Sequence, residues 1–314
     1  MSSTSTNSLA EVLNQLGNDL TSLGQMLTRV GPIIQSLSSN SEVMNIISEV
    51  TSVISKVSTV FKVPRKYGLK VGGSKWRAAP KISLPFHHTS TPTIDLRPQC
   101  PPVYDQGQLG SCTANALAFT YQFDEMRQKE PREFVPSRLF IYYNERKMEG
   151  DVAEDNGAEI HDGVTSMKSY GVCSETTWPY NVDQFSVEPP STCYDQAKSE
   201  RVLEAHALNQ NFDDMYHVLS SGFPFAVGIV VYPGLESDSA AKTGNVPMPH
   251  FWEKSLGGHA IACVGWDDTK QHWIMRNSWG ADWGDHGYFT LPKAYLLDSN
   301  LASDFWVVGS IEHN

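Results

Sequence analysis

Cys112 occupies a position where a cysteine side chain can act as a nucleophile. It follows a Gly-rich turn and precedes the run 113–123, whose small and straight-chain residues and apolar spacing predict a helix. A cysteine in the first turn of a helix feels the positive end of the macrodipole, which lowers the pKa of its thiol and favours the thiolate. Cys112 is therefore a candidate nucleophile, and the alternative is a small cysteine buried in a helix.

Two candidate partners for this thiol lie near the end of the sequence. His259 opens an apolar run that predicts a buried strand, and Asn277 ends the following strand. Turn residues border both strands, so the pair predicts a hairpin in which His259 and Asn277 lie side by side. An imidazole beside a thiolate, oriented by an amide oxygen, is an arrangement for nucleophilic catalysis.

These segments together resemble the papain-like, cathepsin-type cysteine peptidases of the C1 family. Gln-Gly-Gln-Leu-Gly-Ser-Cys at 106–112, Gly-Gly-His-Ala at 257–260 and Asn-Ser-Trp-Gly at 277–280 occur in the family's order. The resemblance spans roughly residues 93–310. These motifs, together with the run 137–144, resemble bacterial and large-virus cathepsin-like enzymes more closely than plant papain or animal lysosomal enzymes.

The resemblance implies a role for each residue of these motifs. Cys112 would attack the scissile carbonyl, and His259 would hold the thiolate as an ion pair and then protonate the leaving amine. Asn277 would orient His259, and Trp279 would shield their hydrogen bond from water. The side-chain amide of Gln106 and the backbone N–H of Cys112 would form the oxyanion hole.

The resemblance also implies a substrate-binding wall and a specificity pocket. Gly157 and Ala158 would offer backbone groups to an extended peptide. Asp304 would lie near the floor of the pocket for the second residue before the cut, where a carboxylate favours Arg or Lys. The alternative for Asp304 is a structural cap or ion pair. The remaining histidines lack metal-ligand spacing, so no metal or cofactor is expected.

Three residues depart from the family pattern without removing a catalytic group. Leu109 replaces a cysteine that often forms a disulfide, and Thr113 replaces the usual aromatic residue after the nucleophile. Ala158 replaces the second glycine of the usual pair, which narrows the cleft near the substrate backbone.

Charge divides the 314 residues into two parts. Residues 1–92, called the leader below, contain nine Lys and Arg against four Asp and Glu, and residues 93–314, called the body, contain fifteen against thirty-one. A basic leader and an acidic body predict electrostatic docking between them. The acidic body would repel phosphates, which argues against nucleic acid as a partner.

The leader predicts an intramolecular inhibitor. Apolar periodicity indicates amphipathic helices over 8–30 and 43–63, followed by an extended segment over 66–93 rich in Gly, Pro and Lys. In papain-like zymogens the propeptide packs helices on the enzyme and threads an extended strand backwards through the cleft. The alternative is a self-associating or targeting module.

The N-terminus lacks the features of a secretory signal, and no run of 18 apolar residues predicts a membrane span. We therefore expect a cytoplasmic or virion-packaged protein with its cysteines free, although a bridge between Cys173 and Cys193 stays open as an alternative. Peptide or protein substrates are the expected partners, with no membrane.

The fold expected for the body is α+β, the papain-like two-domain fold. A helical half over about 100–205 and a strand-rich, barrel-like half over about 206–310 would enclose the cleft, with the leader as a helical propeptide. The function expected is a cysteine endopeptidase made as a zymogen. The alternatives are an exopeptidase and a catalytically silent papain-like binding or structural protein.

Overall fold

The computed structural model describes residues 65–72, 74–82, 93–128 and 134–311. The chain divides into two units, Met1–Lys66 and Tyr67–Asn314, and the helices and strands described lie in the second. The two helices predicted over 8–30 and 43–63 lie outside the described residues.

Most of the helices come first along the body. The described helices are α1 (Ser74–Ala78), α2 (Cys112–Arg127), α3 (Arg138–Glu149), α4 (Ile160–Ser169), α5 (Ser191–Ala197), α6 (Phe212–Ser220), α7 (Asp238–Thr243) and α8 (Lys293–Leu297). Helix α2 is buried from Cys112 through Glu125, which is typical of a helix at the centre of a domain. It packs against α3 and α4 on the helical side and against strands on the other.

The strands form one antiparallel sheet. They are β1 (Thr93–Asp95), β2 (Val202–Ala207), β3 (Phe225–Val231), β4 (Gly257–Asp267), β5 (His272–Arg276), β6 (Tyr288–Pro292) and β7 (Ala302–Ile311). The order is β2-β7-β3-β4-β5-β6, and β1 pairs with β4 outside this path. The predicted hairpin is present as β4 and β5, with Trp266 opposite Trp273.

The α+β class is confirmed, with four described helices over 112–197 and, from Val202 onwards, the other six described strands together with three further helices. One strand crosses this division, because β1 at the start of the body pairs with β4 through Thr93 opposite Asp267. The boundary between leader and body at residues 92 and 93 stays a prediction.

The described residues 67–72 and 74–82 of the leader contact the body. Leu69 forms a parallel bridge with Ala158, and Lys81 forms another with Ala207. Helix α1 interrupts the segment predicted to be extended, because Trp76 is buried with its ring 5.4 Å from that of Phe305. Burying one large aromatic side chain stabilises a short helix that propensity alone would not.

No described helix is both long and apolar enough to span a membrane.

Candidate active site

The Cys112 sulfur lies where α2 approaches the sheet. Cys112 is the first residue of α2 and is fully buried. The backbones of Ala260, Gly68 and Thr113 lie near the sulfur and favour its thiolate form. Since Ala260 follows His259 in β4, the thiol lies beside the strand that carries the predicted imidazole.

His259 and Asn277 are hydrogen bonded, with 2.9 Å between Nε2 and Oδ1. The same Oδ1 accepts a 2.9 Å hydrogen bond from the backbone N–H of Ser278, which can only donate. This second contact identifies the Asn277 atom as the oxygen, so His259 Nε2 carries a proton and donates it. The other ring nitrogen, Nδ1, is then the atom that can exchange a proton with a thiol.

Trp279 covers the imidazole. Its ring is stacked on that of His259 with centroids 4.9 Å apart and planes 24° apart, and its edge is packed against Trp283. The indole is almost fully buried. Water is therefore kept away from the face of the ring that Trp279 covers.

Gln106 joins the loop before Cys112 to the segment after Asn277. Its Oε1 accepts a 2.7 Å hydrogen bond from the Ser278 hydroxyl, and its Nε2 donates to the Leu109 carbonyl at 2.9 Å. The structure thus brings Gln106, Cys112, His259 and Asn277 together from four places in the sequence. Their roles in a reaction stay predictions.

The thiol pKa differs from the sequence expectation. Complete burial raises the pKa of Cys112 to about 11, although the surrounding backbone N–H groups favour the thiolate. The helix position predicted a lowered pKa, but desolvation outweighs the dipole when the sulfur is covered.

The cover is the leader segment 67–71. Ala158 N donates to the Gly68 carbonyl at 2.8 Å, and Lys70 N donates to the Ala158 carbonyl at 3.0 Å. Leu69 N donates to the Gly258 carbonyl on the opposite wall at 3.0 Å. The segment is therefore hydrogen bonded to both sides of the cleft, and the backbone of Ala158 binds an extended strand.

Gly68 fits only because it has no side chain. A Cβ at this position would lie 1.6 Å from the Gly110 carbonyl oxygen. Gly157, with φ of +73°, faces Gly68 from the other side, and a Cβ on Gly157 would meet the Gly68 oxygen at 1.8 Å. The backbones of three glycines, Gly68, Gly110 and Gly157, are thus in direct contact near Cys112.

Residues on either side of Gly68 occupy separate pockets. The Leu69 side chain points toward Gly228, where an added Cβ would come within 2.5 Å of Leu69 Cδ2 and 3.2 Å of the Ser303 carbonyl. On the other side the Tyr67 ring contacts the edge of His259 at a centroid distance of 5.9 Å. Large side chains therefore flank the glycine that crosses the sulfur.

Asp304 is buried below this region with a φ of +62°. Its Oδ2 accepts a hydrogen bond from Ile160 N at 3.1 Å, at the start of α4, and its Oδ1 accepts from Trp306 Nε1 at 2.6 Å. Burial raises its pKa to about 6. Both carboxylate oxygens of Asp304 thus have hydrogen-bond partners within the fold, as the alternative of a structural role expects. A role of Asp304 in specificity stays a prediction.

Two of the three departures have an explanation in the packing. Leu109 is buried in the core. Thr113 donates its hydroxyl to the buried carboxyl of Glu145 at 2.5 Å. Burial raises the pKa of Glu145 well above its usual value. Gly163 makes room for this carboxyl, because a Cβ there would lie 2.6 Å from Glu145 Oε2.

Sequence reasoning did not identify the residues of the leader that enter the cleft, nor Glu145. A glycine between two large apolar residues, Tyr67-Gly68-Leu69, inside a basic segment was the available signal. All five cysteines are free, including Cys173 and Cys193. Among the described residues, no group of His, Cys, Asp and Glu side chains is arranged to hold a metal ion.

Comparisons with known proteins agree with this geometry. The model of the papain family cysteine proteases matches residues 91–305. A peptidase C1-like protein of Acanthamoeba polyphaga mimivirus is 42% identical over 231 residues, which cover 69% of this chain and 74% of the relative. A cathepsin B-like protein of Giardia intestinalis is 28% identical over 228 residues, covering 69% and 73%.

Solved structures match the fold as well. Xylellain, a cysteine protease from Xylella fastidiosa, superposes with a TM-score of 0.73 at 38% identity, covering 80% of this chain and 98% of xylellain. Procathepsin B from Trypanosoma congolense has a TM-score of 0.65 at 18% identity, covering 79% and 87%, and shares the fold. The predicted resemblance to bacterial and viral members is confirmed, and the chain belongs to the papain family of cysteine proteases.

Proposed function

We propose that the protein is a cysteine endopeptidase made as a zymogen, held latent by its own leader segment 67–71. The observation that carries this proposal is the position of Gly68, which lies over the Cys112 sulfur and is hydrogen bonded to the substrate wall at Ala158. Peptide and protein substrates would take the same place once the segment leaves.

The reaction follows from the groups around the sulfur. Cys112 transfers its proton to His259 Nδ1, and the thiolate attacks the scissile carbonyl carbon while Gln106 Nε2 and the backbone N–H of Cys112 bind the oxyanion. The C–N bond breaks, the amine takes the proton from His259, and a thioester remains. Water, deprotonated by His259, then hydrolyses the thioester and restores the thiol. Asn277 keeps Nε2 protonated and the ring oriented throughout.

The segment is a poor substrate because of what it presents to the nucleophile. The backbone of Gly68 lies near the sulfur, and its carbonyl oxygen accepts a hydrogen bond from Ala158 N at 2.8 Å. The pairing with Ala158 is parallel, so a strand of opposite direction would pair antiparallel at the same wall. Attack requires a carbonyl carbon near the sulfur. We infer that the reverse direction of the segment 67–71 keeps its carbonyl carbons out of that position.

Two glycines of the leader allow a matched test of latency. Gly68→Val in the full-length chain would force a side chain into the Gly110 carbonyl, whereas Gly72→Val places one where nothing lies within 4 Å. We expect Gly68→Val to raise the initial rate on a small peptide at least about tenfold and Gly72→Val to leave it unchanged. Equal rates for wild type and Gly68→Val, with both folded, would refute latency through this segment.

The mode of cleavage needs a second test. A peptide acylated at its N-terminus and amidated at its C-terminus has no free end for an exopeptidase to bind. We expect the Gly68→Val chain to cut such a peptide internally, as seen in the fragment masses, and Cys112→Ser to leave it intact. Cleavage only of peptides with a free end would favour the exopeptidase.

A further inference from the structure

Two carboxylates at the rim of the cleft hold the side chain of Lys70. Lys70 Nζ contacts Glu149 Oε2, and it lies 3.5 Å from Asp151 Oδ2. The backbone N–H of the same lysine is bound to the Ala158 carbonyl at 3.0 Å. The Lys70 side chain therefore occupies the subsite next to that of Leu69. Counted from the sulfur, Gly68 lies in the first subsite, Leu69 in the second and Lys70 in the third.

Both carboxylates are fixed by the body. Glu149 is the last residue of α3, and its Oε1 accepts a 2.8 Å hydrogen bond from the backbone N–H of Glu159. Asp151 Oδ2 accepts from Asn156 Nδ2 at 3.1 Å. The Glu149 side chain is only 10% exposed. Contacts within the body thus contribute to their positions, in addition to the contacts with Lys70.

Buried Arg146 holds the loop that carries Asp151. Its guanidinium donates to the carbonyls of Val152 at 2.8 Å and Glu154 at 3.0 Å, and its own carbonyl accepts from Asp151 N at 2.9 Å. The subsite is therefore part of a rigid turn after α3. A preorganised site loses little conformational entropy when a ligand binds.

Departure of the leader removes more than one positive charge. Lys75 leaves together with Lys70, and its Nζ lies 2.6 Å from Asp162 and 3.5 Å from Glu159. Although partial burial opposes the charged form, Glu149 and Asp151 raise the pKa of Lys70. Without these lysines, the Glu149 carboxylate stands near the carboxylates of Asp151 and Glu159, an arrangement of like charges that a bound cation would relieve.

We propose that Glu149 and Asp151 form a subsite that selects Lys or Arg as the third residue before the scissile bond of a substrate. The inference rests on the proposed endopeptidase function and adds a substrate class to it. Peptides with an apolar residue in the Leu69 pocket and a cation one position further from the cut would bind best. This places the basic preference one subsite away from the one predicted at Asp304.

The test uses the full-length Gly68→Val chain and three doubly blocked peptides. The peptides share a leucine as the second residue before the cut and differ in the third, which is Lys, Gln or Glu. We expect kcat/KM for the Lys peptide to exceed that for the Glu peptide by about tenfold at low salt, and by less at high salt. In Glu149→Gln/Asp151→Asn the two values should converge.

The control removes the same charge elsewhere. Glu188 and Asp195 are exposed and each pairs with a lysine at 2.7 Å. Glu188→Gln/Asp195→Asn should keep the preference for Lys, since these carboxylates lie outside the subsite. An unchanged preference in Glu149→Gln/Asp151→Asn, or its loss in the control as well, would overturn the subsite.

A binding measurement distinguishes failure of the proposed catalysis from failure of the proposed subsite. Fluorescent versions of the three peptides are titrated against the Gly68→Val/Cys112→Ser chain, which can bind but not cleave. A higher affinity for the Lys peptide supports the subsite if Glu149→Gln/Asp151→Asn abolishes the difference. This holds even if the Gly68→Val chain cuts none of the peptides; only the proposed endopeptidase function would then be refuted. Equal affinities for all three peptides overturn the subsite.

Discussion

The indole of Trp279 lies against the imidazole of His259 with 4.9 Å between ring centroids, while the Nε2 of that imidazole is bound to Asn277 Oδ1 at 2.9 Å. One ring therefore covers the hydrogen bond that fixes the tautomer of the other. A hydrogen bond shielded from water is electrostatically stronger than an exposed one, so orientation of the imidazole depends on the indole as well as on the amide.

Trp279→Ala, made in the Gly68→Val chain, should lower kcat on a blocked peptide by about tenfold or more, because water can then compete for the His259–Asn277 hydrogen bond. A positioning role also predicts an altered pH profile of kcat. Trp252→Ala is the matched control, since this tryptophan is 64% exposed. Equal kcat values for the two alanine variants would contradict the shielding role.

Alkylation of Cys112 by iodoacetamide should depend on the leader. With the pKa raised to about 11, the thiol of the wild-type chain is mostly protonated at neutral pH, and its rate should rise steadily as the pH approaches 11. In Gly68→Val we expect a rate at pH 7 that is about 10²-fold higher, because solvent and the imidazole then reach the sulfur. Cys112→Ser reports the background from the other thiols. Equal rates for wild type and Gly68→Val at pH 7 would contradict the covering of the thiol.

The pH dependence of stability should report Asp304. Burial raises the pKa of its carboxyl from 3.8 to about 6, so the folded state binds a proton over this range that the unfolded state releases. The contribution of this carboxyl to the free energy of unfolding is therefore greatest below pH 4. It falls by up to about 3 kcal/mol as the pH rises through 6. The free energy of urea unfolding, measured in Cys112→Ser with and without Asp304→Asn, isolates the effect. A difference between the two that is constant from pH 4 to 7 would contradict it.

Thr113→Val should destabilise the chain by about 1–3 kcal/mol, because it removes the hydroxyl that donates to the buried Glu145 carboxyl at 2.5 Å. Thr120→Val in the same helix is the control, since its hydroxyl donates only to the Leu117 carbonyl within α2 at 3.0 Å. Urea unfolding of both variants measures the difference. Similar losses of stability would show that the Glu145 contact contributes nothing beyond a helix hydrogen bond.

The proximity of Cys112, His259 and Asn277 was predictable from the sequence because these residues lie at or near the ends of regular elements. A helical pattern places Cys112 at a helix start, and an apolar run followed by a second strand predicts the β4–β5 hairpin, which brings His259 next to Asn277. Local patterning was therefore sufficient for these three side chains, which lie at or near the ends of a helix and of two paired strands.

The contacts of the leader were not predictable in the same way. Lys70 of the leader pairs with Glu149 of the body without any local pattern, since each is one of many charged residues in its segment. Asp304 has a left-handed backbone conformation and caps α4 from a distant strand, which nothing in its neighbouring residues indicates. Such pairings arise from tertiary packing, which overrides local preference.

The pairing of β1 with β4 determines what one cut in the chain would release. Thr93–Asp95 is bound into the sheet, so hydrolysis between Ile82 and Thr93 would leave every strand of the body in place. Under the proposed latency, the segment 67–71 is tethered before that cut and acts at a high effective concentration. After the cut it would compete only through its own affinity, and dilution would remove it. Activation would then be irreversible without any change in the body itself.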